Sequence, residues 1–448
     1  MYSSNFGDKI DYYKEDNMQT RSSNIAELVA KNGFEEFDPK GITSYLTFRY
    51  PIGALTMFKD YKKVPFGCET LNGGKEVTRW FPKFQSKGIK IEDAMKTIEE
   101  MLVESIKKLV EGKRKIAVTI SGGVDSSMIL ALLRKVIPDR EIFTYSAGFY
   151  GEDEFEYARL VAEKFKSVHK EKILKPEDYI GDDSLLRPLI RHKGEPLHPN
   201  EIALAAVERI AKEDGCDIVL CGEGGDDIFG GYGQNLRMYM NYKNDKPFFE
   251  FFLGNYRYFS LEDHRQLIKD EYLVSDIEIL NSVLKQEEMP EDIKDKVFYF
   301  IQKVHTPGLI TRGNNAMSFN GFPSGFPYID MRLVDFVNSL PFDYKVHWKS
   351  EQHQKESEGM FFRDISEKMD VPKYILKKLA EKHLPYKIIY RPKYGFPVPF
   401  EKWFKGINSW QLDQDVFKTE DISSLNGWKK FMVINLDTFI REFEKYKL

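Results

Sequence analysis

Ser121-Gly122-Gly123-Val124-Asp125-Ser126-Ser127 brings hydroxyls, two adjacent glycines and one carboxylate together at a spacing that suits anion binding. Glycine lets the backbone approach a ligand closely, and the free N–H groups of a following helix point at bound charge. Asp125 has a place in such a cradle only if it faces a cation, which assigns it to Mg²⁺. The spacing is not that of a Walker A loop, and no Gly-Lys-Ser/Thr follows. A second run, Gly222-Glu223-Gly224-Gly225-Asp226-Asp227, continues as Ile228-Phe229-Gly230-Gly231-Tyr232 and sets three carboxylates in a glycine-rich turn. Alone it would read as a solvated surface loop. Beside an anion cradle, Asp226 reads as a second Mg²⁺ ligand, with Asp125 and Asp226 converging on one metal–phosphate unit.

Both runs need strands to present them. Residues 115–120 are apolar and β-branched, which predicts a buried parallel strand, and residues 128–133 predict a helix that Pro138 and Asp139 end. Glu141 to Ser146 predicts a second strand ending at Ala147-Gly148-Phe149. A helix from Asp153 to Lys166 carries the stripe Phe155, Ala158, Val161, Ala162 and Phe165. Residues 168–173 and 217–221 predict two more strands, and Asn200 is placed to cap a helix running to Lys212. This alternation predicts an α/β fold, a doubly wound parallel sheet with ligands at the strands' carboxyl ends. An amphipathic helix from Ile91 to Val110 leads into it. Residues 1 to about 35 show little periodicity and read as an extended arm. Residues 44–50 and 54–58 are β-rich, Val64-Pro65-Phe66-Gly67 is a turn, and Asn72-Gly73-Gly74 is a hairpin signal, so this part reads as a small β-rich segment. Beyond Tyr232 helical periodicity dominates to Leu448, which predicts a helical lobe.

The heptad S-G-G-x-D-S-S resembles the PP-loop of the ATP pyrophosphatases, which holds the β- and γ-phosphates as a unit so that cleavage yields AMP. Together with G-E-G-x-D-x-x-F-G-G-Y about a hundred residues later, the chain is similar to the synthetase domain of the asparagine synthetase and β-lactam synthetase family. Tyr145-Ser146-Ala147-Gly148-Phe149 matches that family's adenine-contacting strand end. Leu384-Pro385 followed by Arg391-Pro392-Lys393-Tyr394-Gly395-Phe396, with Pro399 and Trp403, matches its late lysine loop. The resemblance spans roughly residues 90 to 405 and implies a HUP-like synthetase domain over residues 91–448, behind an arm and glutaminase-type remnant over residues 1–90.

The resemblance also implies roles. Thr119, Ala147, Gly148, Cys221 and Gly222 would border the adenosine of ATP. Ser121, Gly122, Gly123, Asp125, Ser126 and Ser127 would hold pyrophosphate, with Asp125 and Asp226 on Mg²⁺. Glu223 would help deprotonate an attacking amine, and Lys393 would stabilise negative charge as an acyl-adenylate forms or collapses. His169 matches a family position near the nucleotide. By composition alone, His169 and His198 read as packed histidines, because no second ligand lies at metal spacing.

Two departures from the family pattern follow. Residue 2 is Tyr2, where family glutaminase domains carry a catalytic cysteine, and the first cysteine is Cys68. The expectation is a chain without its own glutaminase, taking ammonia from solution or a separate glutaminase subunit, or using another amine. The family run Gly-hydrophobic-Glu-x-Arg-x-Pro-hydrophobic-hydrophobic-Asp is here Gly321-Phe322-Pro323-Ser324-Gly325-Phe326-Pro327-Tyr328-Ile329-Asp330. Pro323 and Gly325 replace the charged pair, which points to a carboxylic acid other than aspartate, bulkier or less charged.

The expected activity is therefore an ATP-dependent ligase that adenylates a small-molecule carboxylate and passes the acyl group to ammonia or an amine. An RNA-modifying PP-loop enzyme and a non-catalytic scaffold are the rival readings. A net charge of −4 gives no general basic field for nucleic acid, and three cysteines without a CxxC pair indicate neither a zinc ribbon nor a dithiol. Reduced thiols, no signal-peptide core and no membrane-length apolar run predict a cytoplasmic protein; a homo-oligomer stays open.

Overall fold

The computed structural model describes residues 1–71, 75–86, 88–392, 395–396 and 398–448. The first segment is more ordered than an extended arm. Strands Tyr12–Lys14 (β1) and Arg21–Ser22 (β2) pair antiparallel, and a helix Ile25–Asn32 (α1) follows, with the Asn24 side chain accepting from the Glu27 N–H. The stretch expected to be β-rich from residue 44 is instead a helix, Pro39–Phe48 (α2). Asp38 caps it by accepting from Lys40 N–H at 2.8 Å, and Pro39 occupies its first turn. Residues 41–48 are all buried, so the helix has no polar face to reveal its period, and its aromatic and β-branched residues mimic a strand. It ends at Arg49, whose left-handed backbone (φ 73°) lets its N–H reach Tyr45 O at 2.7 Å.

Residues 54–58 form turns rather than a strand, with one bridge from Phe58 to Phe37. Tyr61–Lys63 (β3) adds to β1, while Cys68–Thr70 (β4) and Glu76–Thr78 (β5) make an antiparallel hairpin. Asn72-Gly73-Gly74, expected at its tip, lies outside the described residues. This segment shares its core with the C-terminal helix Gly427–Glu444: Phe37 packs on Phe439 and Phe58 on Phe443, with ring centroids 5.7 and 5.4 Å apart.

The helix Ile91–Val110 (α3) is as expected and buries Ala94, Ile98, Leu102 and Ile106 against the sheet domain. Then come Ile116–Thr119 (β6), Val124–Val136 (α4), Ile142–Phe149 (β7), Phe155–Lys164 (α5), Val168–Leu174 (β8), a helix Glu201–Glu213 and Ile218–Leu220 (β9). Asn200 precedes Glu201–Glu213, but its side chain makes no cap bond. The four strands form one parallel sheet in the order β8-β7-β6-β9, with Ile116 beside both Ile142 and Ile218. The chain winds outward in one direction through β7 and β8, then returns to β9 on the other side of β6. The order therefore reverses between β6 and β9, and both chemistry-bearing runs leave the sheet at that switch point.

The remainder is mainly helical, as expected, with a two-stranded antiparallel insert, Val346–Trp348 and Asp370–Pro372. Within it, Thr306–Phe319 packs on Glu201–Glu213 and follows a π-helical turn, Ile301–His305. All three cysteines are free and buried. Among the described residues no helix is long and apolar enough to cross a membrane.

Candidate active site

At the switch point lies a cleft of about 920 Å³, large enough for a nucleotide and a second small molecule. Its floor is the turn between β6 and α4. Gly122 takes a left-handed backbone (φ 69°) with its α-carbon against Tyr157, which turns the chain sharply into α4. Ser121 N–H donates to Ser126 Oγ at 3.2 Å and Gly123 N–H to Ser121 Oγ at 3.3 Å, fixing the turn. Gly123 caps α4 without a side-chain bond, so the first N–H groups of a 13-residue helix face the cleft.

The loop after β9 lies directly on this turn. A Cβ on Gly222 would sit 3.1 Å from Ser126 N, and one on Gly225 would sit 2.8 Å from Asp125 Oδ1. Glycine at both positions is what lets the two loops touch. The result brings Asp125 and Asp226 to one point, and a third residue occupies it. Lys373 Nζ lies 2.6 Å from Asp125 Oδ2 and 2.9 Å from Asp226 Oδ1. Burial pulls the Lys373 ammonium down, but the two aspartates outweigh it and raise its pKa. Lys373 sits in a left-handed conformation (φ 56°) at the head of the helix Tyr374–Ala380, which delivers its side chain to the carboxylates. One turn on, Lys377 also lines the cleft and is pushed down to about 8 by burial and by Lys373.

Two carboxylates that share one cation fit Mg²⁺ held together with phosphate oxygens, the usual arrangement for that ion. Among the described residues no group of three His, Cys, Asp or Glu converges to hold a metal on protein ligands alone. Tyr328 donates to the Asp125 carbonyl at 3.0 Å, and Arg391 donates to the Gly122 and Ser121 carbonyls at 3.1 and 3.4 Å while pairing with Glu154. The floor is thus braced from three sides.

Of the residues expected at the site, Thr119, Ser121, Gly123, Asp125, Ser126, Ala147, Cys221, Gly222, Glu223 and Asp226 line the cleft. Gly122 and Ser127 turn away from it, Gly122 towards Tyr157 and Ser127 into the core. Gly148 lies behind the rim, packed on Asp153 and Phe155. Burial pushes the Cys221 thiol up to about 12, so it borders the cleft as a neutral group. His169 is held by Thr144 at 3.0 Å and Glu171 at 3.3 Å, away from the cleft lining. Lys393 lies outside the described residues.

The run 321–330 behaves differently from its expectation. None of its residues lines the cleft. Gly325 runs against β9: its carbonyl accepts from Cys221 N–H at 2.8 Å, and a Cβ there would be 2.0 Å from Val219 O. No side chain fits at this position on this backbone. Asp330 caps the helix Met331–Asn338 by accepting from Arg332 N–H at 3.0 Å.

Charge at the inner end of the cleft comes from residues that sequence reasoning missed. Arg312, on Thr306–Phe319, donates to Glu223 at 2.6 Å and lies 3.0 Å from His198 Nδ1. Arg49 lies 2.9 Å from His198 Nε2 and 3.4 Å from His305 Nδ1, with its guanidinium 4.3 Å from the centre of the Tyr258 ring. Burial, with Arg312 and Arg49 alongside, lowers the His198 pKa well below the usual imidazole range. No local motif marks Arg49, Arg312 or Lys373; each arrives from a distant part of the chain.

Comparison with known proteins agrees with this geometry. The asparagine synthase family model matches residues 97–436. The chain is 23% identical over 447 residues to asparagine synthetase [glutamine-hydrolyzing] 1 of Bacillus subtilis, covering 90% of this chain and 66% of that protein. It is 21% identical over 372 residues to the asparagine synthetase [glutamine-hydrolyzing] of Gallus gallus, covering 80% and 52%. The chain therefore spans about half to two thirds of the length of these relatives. A solved structure of the U34-tRNA thiolase NcsA from Methanococcus maripaludis covers 51% of this chain and 79% of its own at 16% identity, and its TM-score of 0.25 is too low to carry a shared function. With the family model matched across most of its length and the two glycine-rich loops joined at the switch point, the chain belongs to the asparagine synthase family.

Proposed function

We propose that this chain is an ATP-dependent, AMP-forming ligase that joins a small-molecule carboxylate to ammonia or another amine. The observation that carries the reading is the convergence of Asp125 and Asp226 on one cation beside the amino terminus of α4. In this reading Ser121, Gly123, Ser126 and the α4 amino terminus hold the β- and γ-phosphates, and Gly122 shapes the turn that presents them. Thr119, Ala147, Cys221 and Gly222 border the adenosine. Asp125 and Asp226 would hold Mg²⁺, which when bound neutralises phosphate charge.

A carboxylate oxygen attacks the α-phosphorus, the bond between the α-phosphorus and the bridging oxygen breaks, and pyrophosphate leaves. Lys373 is a fixed positive charge at the point where that pyrophosphate forms. The amine nitrogen then attacks the acyl carbon, AMP departs with the carboxyl-derived oxygen, and Glu223 accepts the proton the amine loses. Lys393 completes the charge stabilisation in the family pattern.

The test is pyrophosphate and AMP release with Mg²⁺-ATP over a panel of carboxylic acids, with ammonium or hydroxylamine as nucleophile. The expected result is release that requires an acid, with a hydroxamate formed from hydroxylamine. ADP and phosphate as products would overturn the reading.

A further inference from the structure

The cleft lining includes Arg49, which comes from the segment that precedes the matched family region. Arg49 stands there, at the left-handed end of α2. Other guanidinium groups that line the cleft are matched by carboxylates within 4 Å: Arg312 by Glu223, Arg257 by Asp276 and Arg391 by Glu154. Arg363, also on the lining, is exposed. Among the described residues no carboxylate pairs with Arg49, and its Nε is buried without a hydrogen-bond partner. Its guanidinium faces His198, His305 and the Tyr258 ring instead, and it donates to the Tyr256 hydroxyl.

His198 is crowded by donors. Asn200 N–H donates to His198 Nδ1 at 3.1 Å, which makes Nδ1 the acceptor of a neutral imidazole and leaves the proton on Nε2. Nε2–H then points at the Arg49 Nη1 donor 2.9 Å away. Arg312 Nη1 crowds the same ring at 3.0 and 3.2 Å. Two guanidinium groups thus crowd one ring, and among the described residues only Arg312 of the two is paired with a carboxylate. A buried guanidinium without a counter-charge is costly, and its planar fork suits a carboxylate.

We propose that Arg49, with His198, forms an anion subsite that recognises a carboxylate carried by one of the two organic substrates. That carboxylate is either a second one on the acid being activated or the one on an amino-acid nucleophile. Arg49 then selects substrates by charge from outside the matched synthetase region. The inference rests on the cleft being a substrate site as proposed above.

Calorimetric titration of the full chain, with a non-hydrolysable ATP analogue and Mg²⁺ present, tests it. The first arm compares succinate and glutarate with their monoamides. The second compares glycine and β-alanine with their amides. The expected result is a preference for the carboxylate partner in one arm, on the order of 10- to 100-fold, because a charge-assisted hydrogen-bonded pair is made or lost. That arm identifies which substrate carries the group. Arg49→Gln abolishes the preference while ATP-analogue binding persists, and Arg49→Lys keeps part of it. The preference in the parent chain tests the proposal even if Arg49→Gln fails to fold. Equal binding of acids and amides, no binding by any panel member, or an unchanged preference in Arg49→Gln would overturn it. Charge selection that persists where no acid supports pyrophosphate release would sink the ligase reading and leave the anion subsite standing.

Discussion

Lys373 Nζ lies 2.6 Å from Asp125 Oδ2, a contact that joins positions 248 residues apart. It ties the helical lobe to the anion-binding turn, and the second carboxylate, Asp226, shares the same ammonium at 2.9 Å. Removing the ammonium takes a shared counter-charge from both carboxylates. Lys373→Met is expected to destabilise the fold by about 3 kcal/mol, the scale of breaking a buried ionic cluster from one side. Added Mg²⁺ should recover much of that loss in thermal unfolding. Destabilisation that Mg²⁺ does not touch would separate the two carboxylates from any shared cation.

Two adjacent glycines should behave differently. An alanine at Gly122 forces a left-handed backbone (φ 69°) on a residue whose Cβ would sit 2.7 Å from the Tyr157 backbone. At Gly123 the nearest groups are the Ser121 hydroxyl at 3.3 Å and Arg391 at 3.6 Å. Gly122→Ala is expected to cost about 2 kcal/mol or more in urea unfolding, because αL strain and a steric clash add. Gly123→Ala should cost under about 1 kcal/mol, within the range of ordinary exposed substitutions.

Arg391 donates to the carbonyls of Gly122 and Ser121 while paired with Glu154, so it holds the turn without facing a reacting atom in the proposed chemistry. Arg391→Gln is expected to raise the KM for ATP about tenfold, the loss of one charge-assisted bond, with a smaller change in kcat. Equal losses in kcat and kcat/KM would instead give Arg391 a part in the transition state.

The pH dependence of stability has a definite sign at His264, whose pKa burial and Arg257 lower from 6.5 to about 4. Below pH 6.5 the unfolded chain takes up a proton that the folded chain refuses, so stability falls as pH drops and levels off near pH 4. Between pH 7 and pH 5 this one group removes about 2 kcal/mol. His264→Leu should flatten the pH dependence by that amount in urea titrations at the two pH values. His198, lowered for the same reason, contributes in the same direction.

The strand–loop–helix units at β6, β7 and β9 were legible because each of these strands is a short apolar run with glycine at its carboxyl end. Ile91–Val110 matched its predicted limits because one face is buried and the other charged. The helix Pro39–Phe48 was misread because burial on all sides removes the period that separates helix from strand, although Asp38-Pro39 is a start signal at its head. Asp125 and Asp226 were legible from their loops. Lys373 was not, since neither its type nor its neighbours mark it; only the packing of the helical lobe brings it to the aspartates. Gly325 shows the converse. Its loss of charge looked like a change in the substrate chamber, but its backbone lies against Val219 and has no room for any side chain.

In the proposed reaction Asp125 and Asp226 together support transfer of an adenylyl group to a carboxylate. Exchange of labelled pyrophosphate into ATP, measured without any amine, isolates that half-reaction. The expected result is exchange that requires both Mg²⁺ and a carboxylic acid and that falls at least 100-fold in Asp125→Asn and in Asp226→Asn, a loss of roughly 3 kcal/mol of transition-state stabilisation. Exchange that proceeds without an acid, or that persists in either variant at the parent rate, would contradict it.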